Sequence, residues 1–287
     1  MAAITTKAIM ELRNRTNAGM MDCKKALTET DGDMEEAIKV LRERGQAIML
    51  KRADKETKQG LVATACADGA VSLVEVNCET DFVANTDGFK AFVKKVADGV
   101  AAGDANIGET LKDDLASLTA STGESMKINR CERYTVSGAG TIGTYVHGGK
   151  LGVIVEVGCD KAETASSKDF ADLAHDIAIQ LATMGARWID RAQVPQDVID
   201  SETEVNAKKL EEDQKAKGGK PKPAEILKKI AAGQMNKFYA ETCLVEQSFF
   251  RNGPGEKTTV TQVIDAANKK LGDKVVVRRY ARFQLGA

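Results

Sequence analysis

The first stretch of the chain repeats its apolar residues at helical spacing. Ile4, Ala8 and Leu12 keep one face after Thr5 and Thr6, either of which can cap a helix. Asn17-Ala18-Gly19 breaks that helix, and Met20-Met21 opens a second with Asp22 in its first turn. A third is the clearest. Asp33 and Glu36 have the spacing of a capping box with Asp as the cap, and Met34, Ala37, Ile38 and Leu41 follow at i, i+3, i+4 and i+7. Arg42 and Arg44 suit the C-terminal dipole, and Gly45 offers a left-handed stop. Residues 1–50 are therefore expected to form a three-helix module, and the charged, aperiodic residues 51–59 a linker or the tail of a helix.

From Gly60 the period changes to that of strands. Residues 61–66 and 71–78 flank Asp68-Gly69, a strong hairpin signal. A helix follows with Phe89, Val93, Val96 and Val100 on one face and Phe92 beside them. This unit recurs. Val74-Glu75-Val76-Asn77-Cys78 matches Val155-Glu156-Val157-Gly158-Cys159, and the same spacing, carried without a gap, sets Leu61 on Ile142, Phe89 on Phe170, Phe92 on Leu173, Val96 on Ile177 and Val100 on Leu181. It also sets the turn Ala67-Asp68-Gly69 on Gly148-Gly149-Lys150. Each copy is expected to end in a further helix and strand, at about residues 110–118 and 126–136 in the first and 260–270 and 275–283 in the second.

The second copy carries an insertion. Residues 202–217 are charged with a sparse apolar seam, Gly218-Gly219-Lys220-Pro221 turns the chain, and residues 224–239 run back with Ile226, Leu227, Ile230, Met235 and Phe238. Two such helices, too polar for a core, predict an antiparallel helical hairpin at about 195–240. The predicted class is α+β: module 1–50, linker 51–59, a core N-subdomain over 60–140, and a core C-subdomain over 141–287 that holds the hairpin.

The two copies part company in one loop. Thr80-Asp81-Phe82-Val83-Ala84 lies between strand and helix in the first, where the second has Lys161-Ala162-Glu163-Thr164-Ala165. A loop that differs on a matched scaffold is a candidate binding site. Phe82 either staples into its own local core or is offered to a partner. Met20 and Met21 are neighbours on a helix and point about 100° apart, so a small bundle can hardly bury both. An exposed Met suits an adaptable contact surface.

Composition removes several classes of function. The 287 residues carry a net charge of −1, which argues against a phosphate-backbone binder and so against nucleic acid as the main partner. No apolar run approaches the ~20 residues that span a bilayer, and the N-terminus shows no signal-peptide pattern; the expectation is a cytoplasmic protein without a membrane partner. The six cysteines form no C-x-x-C and read as small buried thiols. His147 and His175 have no ligand-spaced neighbours, so no metal site is expected. Gly138-Ala139-Gly140-Thr141-Ile142-Gly143 fits G-x-G-x-x-G in letters, but a strand rather than a helix is expected to follow, so it reads as a turn. Cys78 and His147 are of the right types for a nucleophile and base, with no surrounding pattern in support.

Four segments carry a resemblance to a known family. Leu12-Arg13 with Thr16-Asn17-Ala18-Gly19-Met20-Met21-Asp22-Cys23-Lys24-Lys25-Ala26-Leu27 resembles the N-terminal signature of bacterial elongation factor Ts, and Glu75-Val76-Asn77-Cys78-Glu79-Thr80-Asp81-Phe82-Val83-Ala84 resembles its second signature. His147-Gly148-Gly149-Lys150-Leu151-Gly152-Val153 and Gly219-Lys220-Pro221 resemble two more; Asn17 stands where the family usually has Gly. The resemblance implies a guanine nucleotide exchange factor that binds elongation factor Tu, GDP-bound and nucleotide-free, in translation elongation. It implies a module similar to ubiquitin-associated domains, with Leu12, Met20 and Met21 on the GTPase domain, and two core subdomains that straddle the partner. The loop of Thr80, Asp81, Phe82 and Val83 would disturb the partner's Mg²⁺ region, His147 would add a contact, and the helical hairpin would be the family's coiled coil. No catalytic residue, metal or cofactor is implied, so the chain would not be an enzyme. The alternative is a non-catalytic adaptor that binds other partners through the helical module.

Overall fold

A computed structural model of the chain describes residues 4–16, 18–52, 54–216, 224–253 and 255–287. Asn17 and the turn Gly218-Gly219-Lys220-Pro221 lie outside the described residues. The chain divides into two compact units: Met1–Val136 with Thr144–Ile154 and Tyr280–Ala287, and Ser137–Gly143 with Val155–Arg279.

The first unit opens with α1 (Thr6–Thr16), α2 (Met20–Glu29) and α3 (Met34–Lys51). Thr5 is the cap of α1, its hydroxyl accepting the Ala8 N–H at 3.2 Å. The three helices close on Leu12, Cys23, Ala26, Leu27 and Ala37, all fully buried. Only half of the expected capping box forms. Asp33 Oδ1 accepts the Glu36 N–H at 3.0 Å, but the Asp33 N–H donates to Thr30 O at 2.9 Å. Glu36 therefore has no cap donor to receive, and its carboxylate lies 3.9 Å from Lys39.

Next come β1 (Gln59–Ala67), β2 (Ala70–Cys78), the single turn α4 (Asp81–Ala84), α5 (Asp87–Ala101), α6 (Ile107–Thr110), α7 (Lys112–Thr122) and β3 (Met126–Thr135). Asp68 and Gly69 make the hairpin turn with φ of 48° and 76°, the left-handed pair that matches strand twist. The antiparallel sheet has the order β1-β2-β3. β2 is buried along its whole length because both its faces are covered. Val74, Val76 and Cys78 pack on Phe89, Phe92, Val93 and Val96 of α5. Glu75 on the other face is fully buried, and its carboxylate accepts from Arg130 Nε at 2.7 Å, Asn77 at 3.1 Å and Asn129 at 3.2 Å. A bulge opposite Glu75 and Val76 supplies Asn129, so the buried charge is fully paired.

Gly45 does not stop α3, which continues to Lys51. A Cβ at Gly45 would overlap the Ala116 carbonyl of α7. The glycine is there for close helix–helix approach, a tertiary demand that local cap signals do not carry.

The repeat is real in three dimensions. β4 (Gly140–His147), β5 (Leu151–Gly158), α8 (Ala162–Ala165) and α9 (Lys168–Met184) follow the order of β1, β2, α4 and α5, and the second sheet has the order β4-β5-β6, with β6 at Val276–Gln284. Thr86 and Ser167 cap the long helices alike, accepting the N–H of Phe89 and of Phe170 at 3.3 Å. Glu156 is the second buried glutamate, paired with Arg278 and with Arg279 at 2.7 Å. The gapless alignment needs one correction. The left-handed pair is Asp68-Gly69 in one hairpin and Gly148-Gly149 in the other, so Lys150 is an extra residue. The first strands of the two copies therefore match one residue out of the spacing that holds for β2, β5 and the helices: Leu61 falls on Thr141, not Ile142. Turn geometry sets this register, and apolar pattern alone does not.

The second unit also holds α10 (Gln196–Ala216), α11 (Ala224–Thr242) and α12 (Val260–Leu271). α10 and α11 pack as the expected helical hairpin, with Thr203 and Asn206 within 3.7 and 3.8 Å of Met235 Sδ. The G-x-G-x-x-G letters lead into β4, where a Cβ at Gly143 would overlap the Ala174 carbonyl of α9. No helix among the described residues is long and apolar enough to cross a membrane, and none of their His, Cys, Asp and Glu groups could hold a metal ion.

Candidate functional site

The loop that differs between the copies is held from both ends. β2 ends at Cys78, whose thiol donates to Thr80 O at 3.1 Å. Burial pushes that thiol up to about 12, so at neutral pH it is a protonated donor and not a nucleophile. Glu79 accepts from both Nε and Nη2 of Arg52, at 2.8 and 2.7 Å, and from the Ser125 N–H at 2.6 Å. The Arg52 guanidinium, then the Ser125 amide, hold the Glu79 carboxyl down at about 2, so it stays ionised and the tie persists across physiological pH. Thr80 is extended at φ −122°, ψ 155°, and caps α4 by accepting the Val83 N–H at 3.4 Å. Glu124 takes the remaining donors of Thr80, the N–H at 3.0 Å and the hydroxyl at 2.6 Å.

Phe82 sits on this clamped turn with 82% of its surface in water. It does not staple into the local core. A staple needs the residue before the cap, and Phe82 is the second residue of α4. Ala84 is the buried residue of the turn, Val83 packs against the core from its edge, and Asp81 is exposed. An exposed phenylalanine forgoes the roughly 1.5–3 kcal/mol that burial would return.

The other singled-out residues fall into two groups. Met20 and Met21 are 45% and 63% exposed, as the helix geometry requires. Leu12 is fully buried in the module core, and its side chain has no exposed area to offer a partner. His147 closes β4 at the hairpin tip, exposed, with Nδ1 3.0 Å from the Tyr145 hydroxyl and the two rings stacked. Sequence reasoning misses Met10 and Leu50, both more than half exposed on the same module. Met10 follows the buried Ile9, so the argument applied to Met20-Met21 could have found it. The cysteines are mostly buried as expected, but Cys66 is exposed and Cys131 half-buried.

The second loop shows what the same scaffold does without an aromatic. Lys161 stands in the cap position with no side-chain cap bond. Asp273 accepts the N–H groups of Asp160 and Lys161 at 3.3 and 3.0 Å, and Lys161 Nζ donates to Gly272 O at 2.7 Å. Glu163, at the place of Phe82, is exposed and charged.

Comparison with known proteins finds relatives over nearly the full length of the chain. The family model described as Elongation factor TS matches residues 79–287, which begins at the root of the Phe82 loop and takes in β3, the second sheet and the helical hairpin. The chain is 42% identical over 302 residues to elongation factor Ts of Trichlorobacter lovleyi, covering 99% of this chain and 93% of that one. It is 39% identical over 295 residues to elongation factor Ts of Desulfovibrio desulfuricans, covering 100% of both, and 39% identical over 298 residues to that of Bdellovibrio bacteriovorus, covering 99% of this chain and 93% of that one. With the family model over well more than half the chain and relatives at this identity from end to end, this chain belongs to the elongation factor Ts family.

Proposed function

We propose that this chain is a guanine nucleotide exchange factor for elongation factor Tu, which engages the GDP-bound and nucleotide-free GTPase and speeds GDP release with Phe82 as the wedge. Membership of the elongation factor Ts family supports the partner. The observation that carries the mechanism is the exposed Phe82 on a turn fixed by Thr80, Glu79 and Glu124.

The physics is that of two ligands competing through one partner. Mg²⁺ joins GTPase oxygens to nucleotide phosphates in near-ideal octahedral geometry, so a small displacement of its ligands weakens GDP strongly. An aromatic ring inserted into the partner gains roughly 1.5–3 kcal/mol of burial, which can offset that displacement. Linkage is reciprocal, so GDP weakens the factor by the same ratio as the factor weakens GDP. No bond is made or broken by this chain, and no catalytic residue, cofactor or bound metal of its own is needed. Asp81 and Val83 flank the wedge, while Met20, Met21 and His147 are further partner contacts that raise affinity without performing the displacement.

Release of a fluorescent GDP analogue from elongation factor Tu tests this. The wild-type chain accelerates release, and Phe82→Ala lowers the maximal rate by about ten- to a hundred-fold, the loss of one buried aromatic contact. Equal acceleration by both proteins removes the wedge. No acceleration by either removes the exchange function and leaves the adaptor reading.

A further inference from the structure

We propose that Glu124 is a positioning residue for exchange: its carboxylate holds the turn that presents Phe82. The inference rests on the wedge reading given above and names the group that makes the wedge rigid.

Two loops exchange acceptors. Thr80 N–H donates to Glu124, and Ser125 N–H donates to Glu79 at 2.6 Å, so each loop's carboxylate satisfies the other's backbone. Glu124 does more than pair an amide. Its Oε1 accepts the Thr80 hydroxyl at 2.6 Å, and that hydroxyl oxygen in turn accepts the Val83 N–H at 3.4 Å. A donor chain thus runs from Val83 through Thr80 to Glu124, and Phe82 lies inside the segment that it closes. Hydrogen bonds in series polarise one another, and a charged terminal acceptor strengthens the first link. α4 is a single turn and has no stability of its own, so its geometry is that of its cap.

The repeat supplies the control. Gly123 ends α7 and Gly272 ends α12, both left-handed at φ 73° and 61°, and each is followed by an acid. In the second copy that acid is Asp273, and it too accepts N–H groups at the entry to the short helix. The clamp therefore belongs to the scaffold. In the second copy Asp273 also holds the Thr164 side chain, inside the short helix; only in the first copy does the acid hold the hydroxyl of the cap residue, on a turn that carries an exposed aromatic. A glutamate that served folding alone would be matched in its effect on exchange by its counterpart Asp273.

The test is GDP-analogue release from elongation factor Tu by the full chain and by Glu124→Ala, Glu124→Gln, Phe82→Ala, Asp273→Ala and the Glu124→Ala/Phe82→Ala double variant. Loosening the turn lowers the fraction of complexes with a placed wedge, so Glu124→Ala lowers the maximal rate by about five- to ten-fold and shifts the half-saturating concentration less than about two-fold. Glu124→Gln keeps one carbonyl acceptor and the side-chain length, and recovers to within about three-fold of wild type. The double variant is no slower than Phe82→Ala, because Glu124 acts through that ring. Asp273→Ala stays within about two-fold of wild type. The inference is overturned if Glu124→Ala exchanges at the wild-type rate, if the double variant shows the product of the single losses, or if Asp273→Ala is as slow as Glu124→Ala. If Phe82→Ala alone is as fast as wild type, the wedge reading fails and this inference with it, whereas a slow Phe82→Ala beside a fast Glu124→Ala sinks only the positioning role.

Discussion

The two hairpin–helix copies share their cores and differ in what they do with the turn that follows the central strand. In both, a Phe at the first turn of the long helix is fully buried and its N–H is capped by a hydroxyl residue. In both, a Glu on the central strand is fully or almost fully buried against arginine from the third strand. The short turn between them holds Phe82 in one copy and Glu163 in the other. A scaffold that forms the same elements with a charged residue there does not need the aromatic for its fold. The difference between copies separates what the fold requires from what it has to spare.

The strongest way to break the comparison is through the matched cores. Phe89→Ala and Phe170→Ala each delete a fully buried ring and are expected to cost about 3–5 kcal/mol in urea denaturation, to a similar degree in both copies. Phe82→Ala, by contrast, is expected within about 0.5 kcal/mol of wild type, because its ring contributes nothing to either core. A Phe170→Ala cost near that of Phe82→Ala would show that the second copy does not use the core seen in the first.

Much of this architecture is legible in the chain's local periodicity. Helical spacing of Phe89, Val93, Val96 and Val100, the Asp68-Gly69 turn and the internal repeat can each be read from neighbouring residues, and each corresponds to an element found. The unmatched loop is legible because repetition makes a difference visible. The readings that fail are those that depend on distant chain. Gly45 looks like a helix stop by its neighbours, but its reason is the Ala116 carbonyl, far along the sequence. Leu12 belongs to a conspicuous motif, yet its role is core packing, which its sharing a face with Ile4 and Ala8 is enough to assign. Arg52 and Glu124 carry no signal at all: one lies in an aperiodic charged stretch and the other after a helix cap, and only folding brings them to residues 79 and 80.

A smaller effect sharpens the asymmetry at the root of the loop. Glu79 is tied to Arg52, while the second copy has Asp160 at that place. The Glu79 carboxyl is held at about 2, against an ordinary value of 4.5, by the Arg52 guanidinium first and the Ser125 amide second. Its folded value lies below its unfolded value, so the tie contributes fully above pH 4.5 and is lost as pH falls toward 2. Denaturation midpoints measured across that window should fall less steeply for Glu79→Gln than for wild type. Parallel curves would mean that the tie contributes no net stability, as for many partly exposed pairs.

The smallest expected effect is also the most discriminating. Placing the missing ring on the second scaffold, as Glu163→Phe in a Phe82→Ala background, tests whether an exposed aromatic on a matched turn is enough. The expectation is that exchange stays within about two-fold of Phe82→Ala alone, because a binding group acts through where its shell holds it and not through its presence. Lys161 lacks the hydroxyl that caps α4 and hands its hydrogen to Glu124; its ammonium instead reaches the Gly272 carbonyl. The grafted ring would thus sit on a turn with a different cap, fed by a different acid, at the other copy's place in the chain. Recovery of wild-type release by this variant would show that the repeat is functionally interchangeable and that the clamp on Thr80 is incidental. Failure to recover, with both proteins folded, would place the wedge's competence in the first copy itself, its position and the shell of residues 79, 80 and 124 together, and not in an exposed ring alone.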